Sequence, residues 1–336
     1  MGAFEARDSA LIRRRASALA VLALATASGL AAQSPGPDHV PSTGGRTLGG
    51  HTYIPVVGVA QPFVGTAFAA TIGGAVAGDI IEAVTVDVGG QLDTLLPAGS
   101  LAFVTVQLAY QQNVARRFAL FGSAHVSVRT GTNARMIVAE GLSGITGFTV
   151  GGLATLLRGE RHMLTGTLDL RHNNLSELTP QEFAEYVGEW GLDSLEQWGE
   201  HLLQDRKNGR VVAGVRGAWT LRPWLGVSAL IEGGAANLYE SGSAFSTTVG
   251  VGSSVDFRKL KGAVPIGLSL GWGRTSAPSR SDDIFGTTSV LALGLYYTGR
   301  EEFAVGLDLQ SSTTRLVETD QSVGVSGFRL TLRYDF

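Results

Sequence analysis

The residues able to do chemistry are few and scattered. His125 and Ser127 sit two apart in F-G-S-A-H-V-S-V-R. A base and a hydroxyl at that spacing share one face of a strand, because strand side chains alternate between faces. That is the minimum pair for nucleophilic catalysis, which also needs a third group to orient the base. No partnering Asn or Gln context accompanies them. The six histidines, His39, His51, His125, His162, His172 and His201, show no metal-ligand spacing. Asp282 and Asp283 offer at most a weak loop site for Ca²⁺, and a solvated loop explains them better. Asn174-Leu175-Ser176 matches a glycosylation sequon without a context that gives it meaning. Catalytic, cofactor-binding and metal-binding residues are therefore all expected to be absent.

The other candidates are charges on strands. Arg129, Asp169, Arg171, Arg216, Glu232, Asp256, Asp308, Arg329 and Arg333 all fall on the face opposite a stripe of Leu, Val and aromatic residues. Strands four, five and six, for example, run over Gly147–Leu157, Leu164–Arg171 and Val211–Thr220. The last of the series is F-R-L-T-L-R-Y-D-F. It sets Phe328, Leu330, Leu332, Tyr334 and Phe336 on one face, and Arg329, Thr331, Arg333 and Asp335 on the other. A wholly apolar strand face that ends in an aromatic at the chain terminus is rare in a soluble domain, where end residues fray into water.

This terminal segment resembles the last strand of bacterial outer-membrane β-barrels, in which a final Phe serves as the assembly signal. The resemblance implies a transmembrane, antiparallel, up-and-down barrel, all-β. It implies outer-membrane lipid as surroundings, with the barrel assembly machinery and periplasmic chaperones as partners during biogenesis. No nucleic-acid partner is expected at a net charge of −3.

The rest of the chain agrees with that expectation. Cysteine is absent and glycine is abundant, at 46 of 336 residues. Alternating segments of roughly ten residues recur about twelve times, the length of a tilted membrane-spanning strand. Their connections alternate short and long, as periplasmic turns and outer loops do. An inward parity for charge has a direct reason, since Arg or Lys on the lipid face at midplane costs ~2–4 kcal/mol. Phe118, Trp219, Phe257, Tyr297, Phe303 and Phe336 fall toward one end of the strands, and Phe148, Phe245 and Trp272 toward the other. Two interfacial girdles would look like this.

The expected organisation is an export signal over residues 1–32, a loose N-terminal periplasmic segment over 33–62 and a barrel over 63–336. The signal rests on Arg13, Arg14 and Arg15 before the apolar run Ala16–Leu30. Within the barrel, Leu178–Gln204 changes period. Thr179-Pro180-Gln181-Glu182 is a capping box, and Phe183, Tyr186, Val187 and Trp190 recur at helical spacing. A short helical insert in an outer loop follows, destined for the barrel mouth, the outer leaflet or a partner.

Three functions suit such a barrel. One is a passive channel or small-solute transporter, lined by His125, Arg129, Asp169, Arg171, Arg216, Glu232, Asp256, Asp308, Arg329 and Arg333. The second is a barrel lipase built on His125 and Ser127. Outer-membrane phospholipases display such a pair toward lipid, however, whereas strand parity here points both residues into the lumen. The third is a structural or adhesive barrel acting through its outer loops. The inner charges of both signs either line a wet passage or pair into a core that blocks it.

Overall fold

The computed structural model describes residues 45–81, 84–88, 91–95, 98–131, 142–178, 203–236, 244–261, 264–276, 285–316 and 322–336. The expected export signal and nearly all of the expected helical insert lie outside these residues. Its flanks, Leu178 and Leu203, end and begin long strands.

Two short strands open the described chain, β1 (Thr47–Leu48) and β2 (His51–Thr52). Gly49 and Gly50 join them with φ of 54° and 80°, the positive pair that a two-residue type I′ turn needs. The barrel strands follow. They are β3 (Ala67–Ile81), β6 (Ala98–Ala115), β7 (Phe118–Gly131), β8 (Leu142–Arg158), β9 (His162–Leu178) and β10 (Leu203–Arg222). Then come β11 (Leu225–Ala236), β12 (Ala244–Asp256), β13 (Ile266–Ser276), β14 (Phe285–Tyr297), β15 (Phe303–Leu316) and β16 (Ser322–Asp335). A small hairpin, β4 (Val84–Val88) with β5 (Gln91–Leu95), rides in the connection after β3. Among the described residues one short helix, α1 (Phe257–Lys261), follows β12.

Neighbouring strands pair antiparallel in chain order, and β16 returns to pair with β3 from Val325↔Ala77 to Asp335↔Ala67. The result is a closed barrel of twelve strands, as the terminal-strand resemblance implies. Closure removes every sheet edge, which in hydrocarbon would leave backbone groups unpaired at several kcal/mol each.

All twelve strands carry large apolar side chains exposed on the outside. Ile72, Val106, Leu120, Leu168, Ile231, Leu291 and Leu330 are examples. Water does not tolerate a continuous apolar surface of that extent, and acyl chains do. The inside is polar, with Ser, Thr, Gln and the paired charges buried on it. Phe118, Tyr297, Phe303 and Phe336 mark the short-turn end and Phe245 the opposite end. Trp272 lies at mid-strand opposite Val251 and Leu291, not in a girdle.

The lumen is not empty. From Gly45 to Thr66 the chain lies inside the barrel, where the sequence reading expects a loose periplasmic segment over residues 33–62. The barrel accordingly starts at Ala67 and not at Phe63. The reason is packing. Tyr53, Ile54, Val56, Val57, Val59, Ala60 and Phe63 are all buried. Full burial of such side chains is worth ~1.5–3 kcal/mol each. No periplasmic surface would cover them, and the barrel wall does.

Candidate functional site

The inner plug is seated by missing side chains. Gly226, Gly250, Gly252, Gly267, Gly271 and Gly273 face inward on β11, β12 and β13. A Cβ at Gly250 would lie 2.7 Å from the Gly58 carbonyl oxygen, and one at Gly252 would lie 2.6 Å from Val56 Cγ1. At Gly226 it would strike His51, at Gly267 Ile54 and at Gly271 the Val57 carbonyl. The plug turns at Val56–Val59, where the Val59 amide donates to the Val56 carbonyl (3.3 Å) and Gly58 has φ of 78°. Glycine fits that left-handed position.

Polar contacts hold the same segment to the wall. At the short-turn rim, Arg46 donates to the carbonyls of Phe303 (2.9 Å) and Glu301 (3.2 Å) and forms an ion pair with Asp335 (2.9 Å). His51 Nε2 meets Ser254 Oγ at 2.8 Å, and Tyr53 Oη meets Thr220 Oγ1 at 3.1 Å. Thr165 donates to the Pro62 carbonyl (2.5 Å), and Gln111 to those of Phe63 and Gly65 (both 3.2 Å). Burial holds the His51 imidazole neutral, with its pKa pushed down to about 4; Lys259 acts in the same direction. The segment thus enters at the short-turn end, reaches mid-barrel at Gly58, and leaves beside the terminus, where the Phe336 amide donates to the Thr66 carbonyl (3.0 Å).

Past the tip of the plug, charges take over. Arg216 donates to Glu232 Oε1 (3.0 Å), Arg171 to Glu232 Oε2 (2.8 Å) and Arg171 also to Asp169 Oδ2 (2.7 Å). This chain of pairs climbs β9, β10 and β11. Arg216 also lies over the Phe121 ring, at 5.9 Å from its centre. On the facing wall, beside Ile54 of the plug, Arg329 and Tyr296 both donate to Asp308 Oδ2, at 3.1 and 2.7 Å. Nearer the short-turn rim Arg333 donates to Asp335 Oδ1 (2.6 Å) and Thr298 to Asp256 Oδ1 (2.9 Å). Arg129 donates to Ser143 Oγ (2.8 Å). All ten expected lining residues face inward; nine are buried, and Arg171 is the half-buried one.

The structure does not join His125 and Ser127 into a catalytic pair. Ser127 Oγ lies 2.7 Å from Thr105 Oγ1 and donates to the Val104 carbonyl at 3.1 Å. His125 Nε2 is buried without a hydrogen-bond partner, so no carboxylate orients the ring through it. No group of three or more His, Cys, Asp or Glu side chains that could hold a metal occurs among the described residues. The terminal residues Phe328, Leu330, Leu332, Tyr334 and Phe336 all point outward and are exposed.

Among the inward residues outside the expected lining, two groups bear on the plug and the charge network. Arg46, His51 and Tyr53 belong to the plug. The buried, non-periodic run Tyr53–Ala60 was their available signal. Arg210 falls outside the expected lining because the sequence pattern starts that strand one residue later, at Val211. Its parity with Arg216 would have placed it inside.

No family model matches the chain, and neither does any curated protein. Solved structures do resemble it in shape. The beta domain of the Bordetella autotransporter Brka is 13% identical, with 81% of this chain and 99% of that one covered at a TM-score of 0.46. The NanC porin is 6% identical, with 80% and 100% covered and a TM-score of 0.46. A Pseudomonas aeruginosa FadL homologue is 14% identical, with 91% and 100% covered and a TM-score of 0.40.

Proposed function

We propose that this chain is an outer-membrane conduit for small polar solutes, closed on its periplasmic side by its own residues 45–66. The observation that carries the reading is a polar lumen whose one half is filled by a separately folded stretch of the same chain. A barrel that served only as an anchor would gain more from a continuous apolar core than from buried ion pairs, which are weak stabilisers. A barrel that served only as an open pore would have no use for a glycine-lined seat. The long connections lie at the end opposite the chain terminus, which orients them outward and the plug entrance toward the periplasm.

Planar-bilayer recording tests the proposal. The full chain should conduct little, and a chain lacking residues 45–65 should conduct steadily. If the deleted chain assembles and stays silent, the conduit reading fails. Location has its own test, in which membrane fractionation and heat-modifiable gel mobility should place the protein in the outer membrane. Recognition by the assembly machinery is carried by Phe328, Leu330, Leu332, Tyr334 and Phe336. Phe336→Ser should reduce membrane levels severalfold, and unchanged levels would remove that role. The lipase alternative loses support from the hydrogen bonds of Ser127, and Ser127→Ala should leave phospholipid turnover at background.

A further inference from the structure

Arg210 is the anomaly of the lumen. It lies directly opposite Arg171 in the β9–β10 register, and both side chains face inward. Like charges facing each other across two strands destabilise a sheet. The neighbouring carboxylates do not resolve this. Glu232 is taken by Arg171 and Arg216, and Asp169 by Arg171. The polar partner of Arg210 is the neutral Ser246 Oγ, and its Nε is buried with none. Arg216, which is 1% exposed, likewise keeps Nη1 without a partner. Two guanidinium groups on one wall thus hold buried, unused donors, and the cluster carries three arginines against two carboxylates.

Guanidinium donors in a fork match an oxyanion, two N–H groups to two oxygens. A third negative charge beside Arg210 would balance the cluster, give its orphaned Nε an acceptor and relieve the Arg171–Arg210 repulsion. We propose that the wall formed by Arg171, Arg210 and Arg216 is a binding site for a small solute bearing a carboxylate or phosphate oxyanion. The site lies on the outer side of the plug tip, since Arg216 pairs in register with Leu230, which packs on Val56 and Val59. An incoming solute would therefore meet it before the plug. This inference rests on the conduit reading for its purpose and on the arginines for its chemistry.

The test is direct binding to the full chain in detergent at low chloride, by calorimetry, with inorganic phosphate and gluconate as separate probes. At least one should bind saturably. Phosphate alone would assign a phosphorylated solute, gluconate alone a carboxylate, and both a general oxyanion site. Arg210→Gln should weaken binding about tenfold with heat-modifiable mobility unchanged. Arg210→Lys keeps the charge and the fold while removing the fork, and should weaken it about threefold. Absence of binding for both probes, or unchanged affinity in either variant, overturns the site. Binding in a protein that never conducts leaves the site standing and sinks the conduit; conductance without binding does the reverse.

Discussion

The two halves of the lumen are furnished by opposite means. The half toward the short turns is filled by chain. Glycines on the wall give up their side chains, and Ile54, Val56, Val57 and Tyr53 take the space. The half beyond the plug tip is lined by charge along one wall, with Arg216, Glu232, Arg171 and Asp169 linked in sequence. Packed apolar contact is insensitive to salt and strict about volume. Buried charge tolerates space and is strict about partners. A segment seated by shape can leave as a unit, whereas a network of ion pairs fixed to the wall cannot.

That contrast is broken most severely by removing the plug. Deletion of residues 45–65 should raise single-channel conductance by about an order of magnitude, because a twelve-stranded lumen is wide enough for water once unfilled. Next in size, Glu232→Ala strands the buried Arg216 and should cost ~3–5 kcal/mol, the penalty of an unpaired buried charge. Thermal gel-shift or urea midpoints would read it. Gly252→Leu overpacks the seat against Val56 and should cost ~1–3 kcal/mol. Its conductance should rise toward that of the deletion, while Glu232→Ala should leave the plug in place. Equal conductance changes in the two variants would erase the distinction between the halves.

Acidification is a milder lever. His51 is neutral in the seated plug, with a pKa near 4 against 6.5 when exposed. A depressed folded value means that protons favour the expelled plug. The seat is therefore fully stable above pH 6.5 and loses stability as pH falls from there toward 4. Open probability should climb across that window in the wild type and stay flat in His51→Gln. The smallest effect belongs to the rim, where Glu301 binds Lys259 (2.9 Å) and Arg258 (3.2 Å). Its carboxyl is held below the usual range, chiefly by the Lys259 hydrogen bond. That contribution is present at neutral pH and fades as pH falls below about 4.5. Glu301→Gln should cost under ~1 kcal/mol, as exposed pairs do.

The barrel was legible because its rule repeats on every strand. Leu330 outside and Arg329 inside is the same statement as Ile231 outside and Glu232 inside, and period two carries it. The pairing of those charges was not legible. Whether Arg171 reaches Glu232 on another strand depends on barrel stagger, which no single strand encodes. The plug is not legible for a related reason. Thr47–Thr66 has the Gly and Pro content of a loop and no period, and only the complementary glycines at 250, 252, 267, 271 and 273 reveal where it goes. Those glycines were readable as small inward residues, but not as a seat.

The junction of β3 and β16 has a consequence for timing. Every other seam joins strands close in sequence, and this one joins Ala67 to Asp335 across nearly the whole barrel. Contacts between such distant residues form late, because the loop entropy must be overcome before they reward it. The plug is tethered directly to β3, and Arg46 within it pairs with Asp335 at the foot of β16. The last event of ring closure therefore brings together the terminal strand, the first strand and the stopper. If the barrel serves as a conduit, that order would leave it already shut at the moment it becomes continuous, and its own assembly would not breach the membrane.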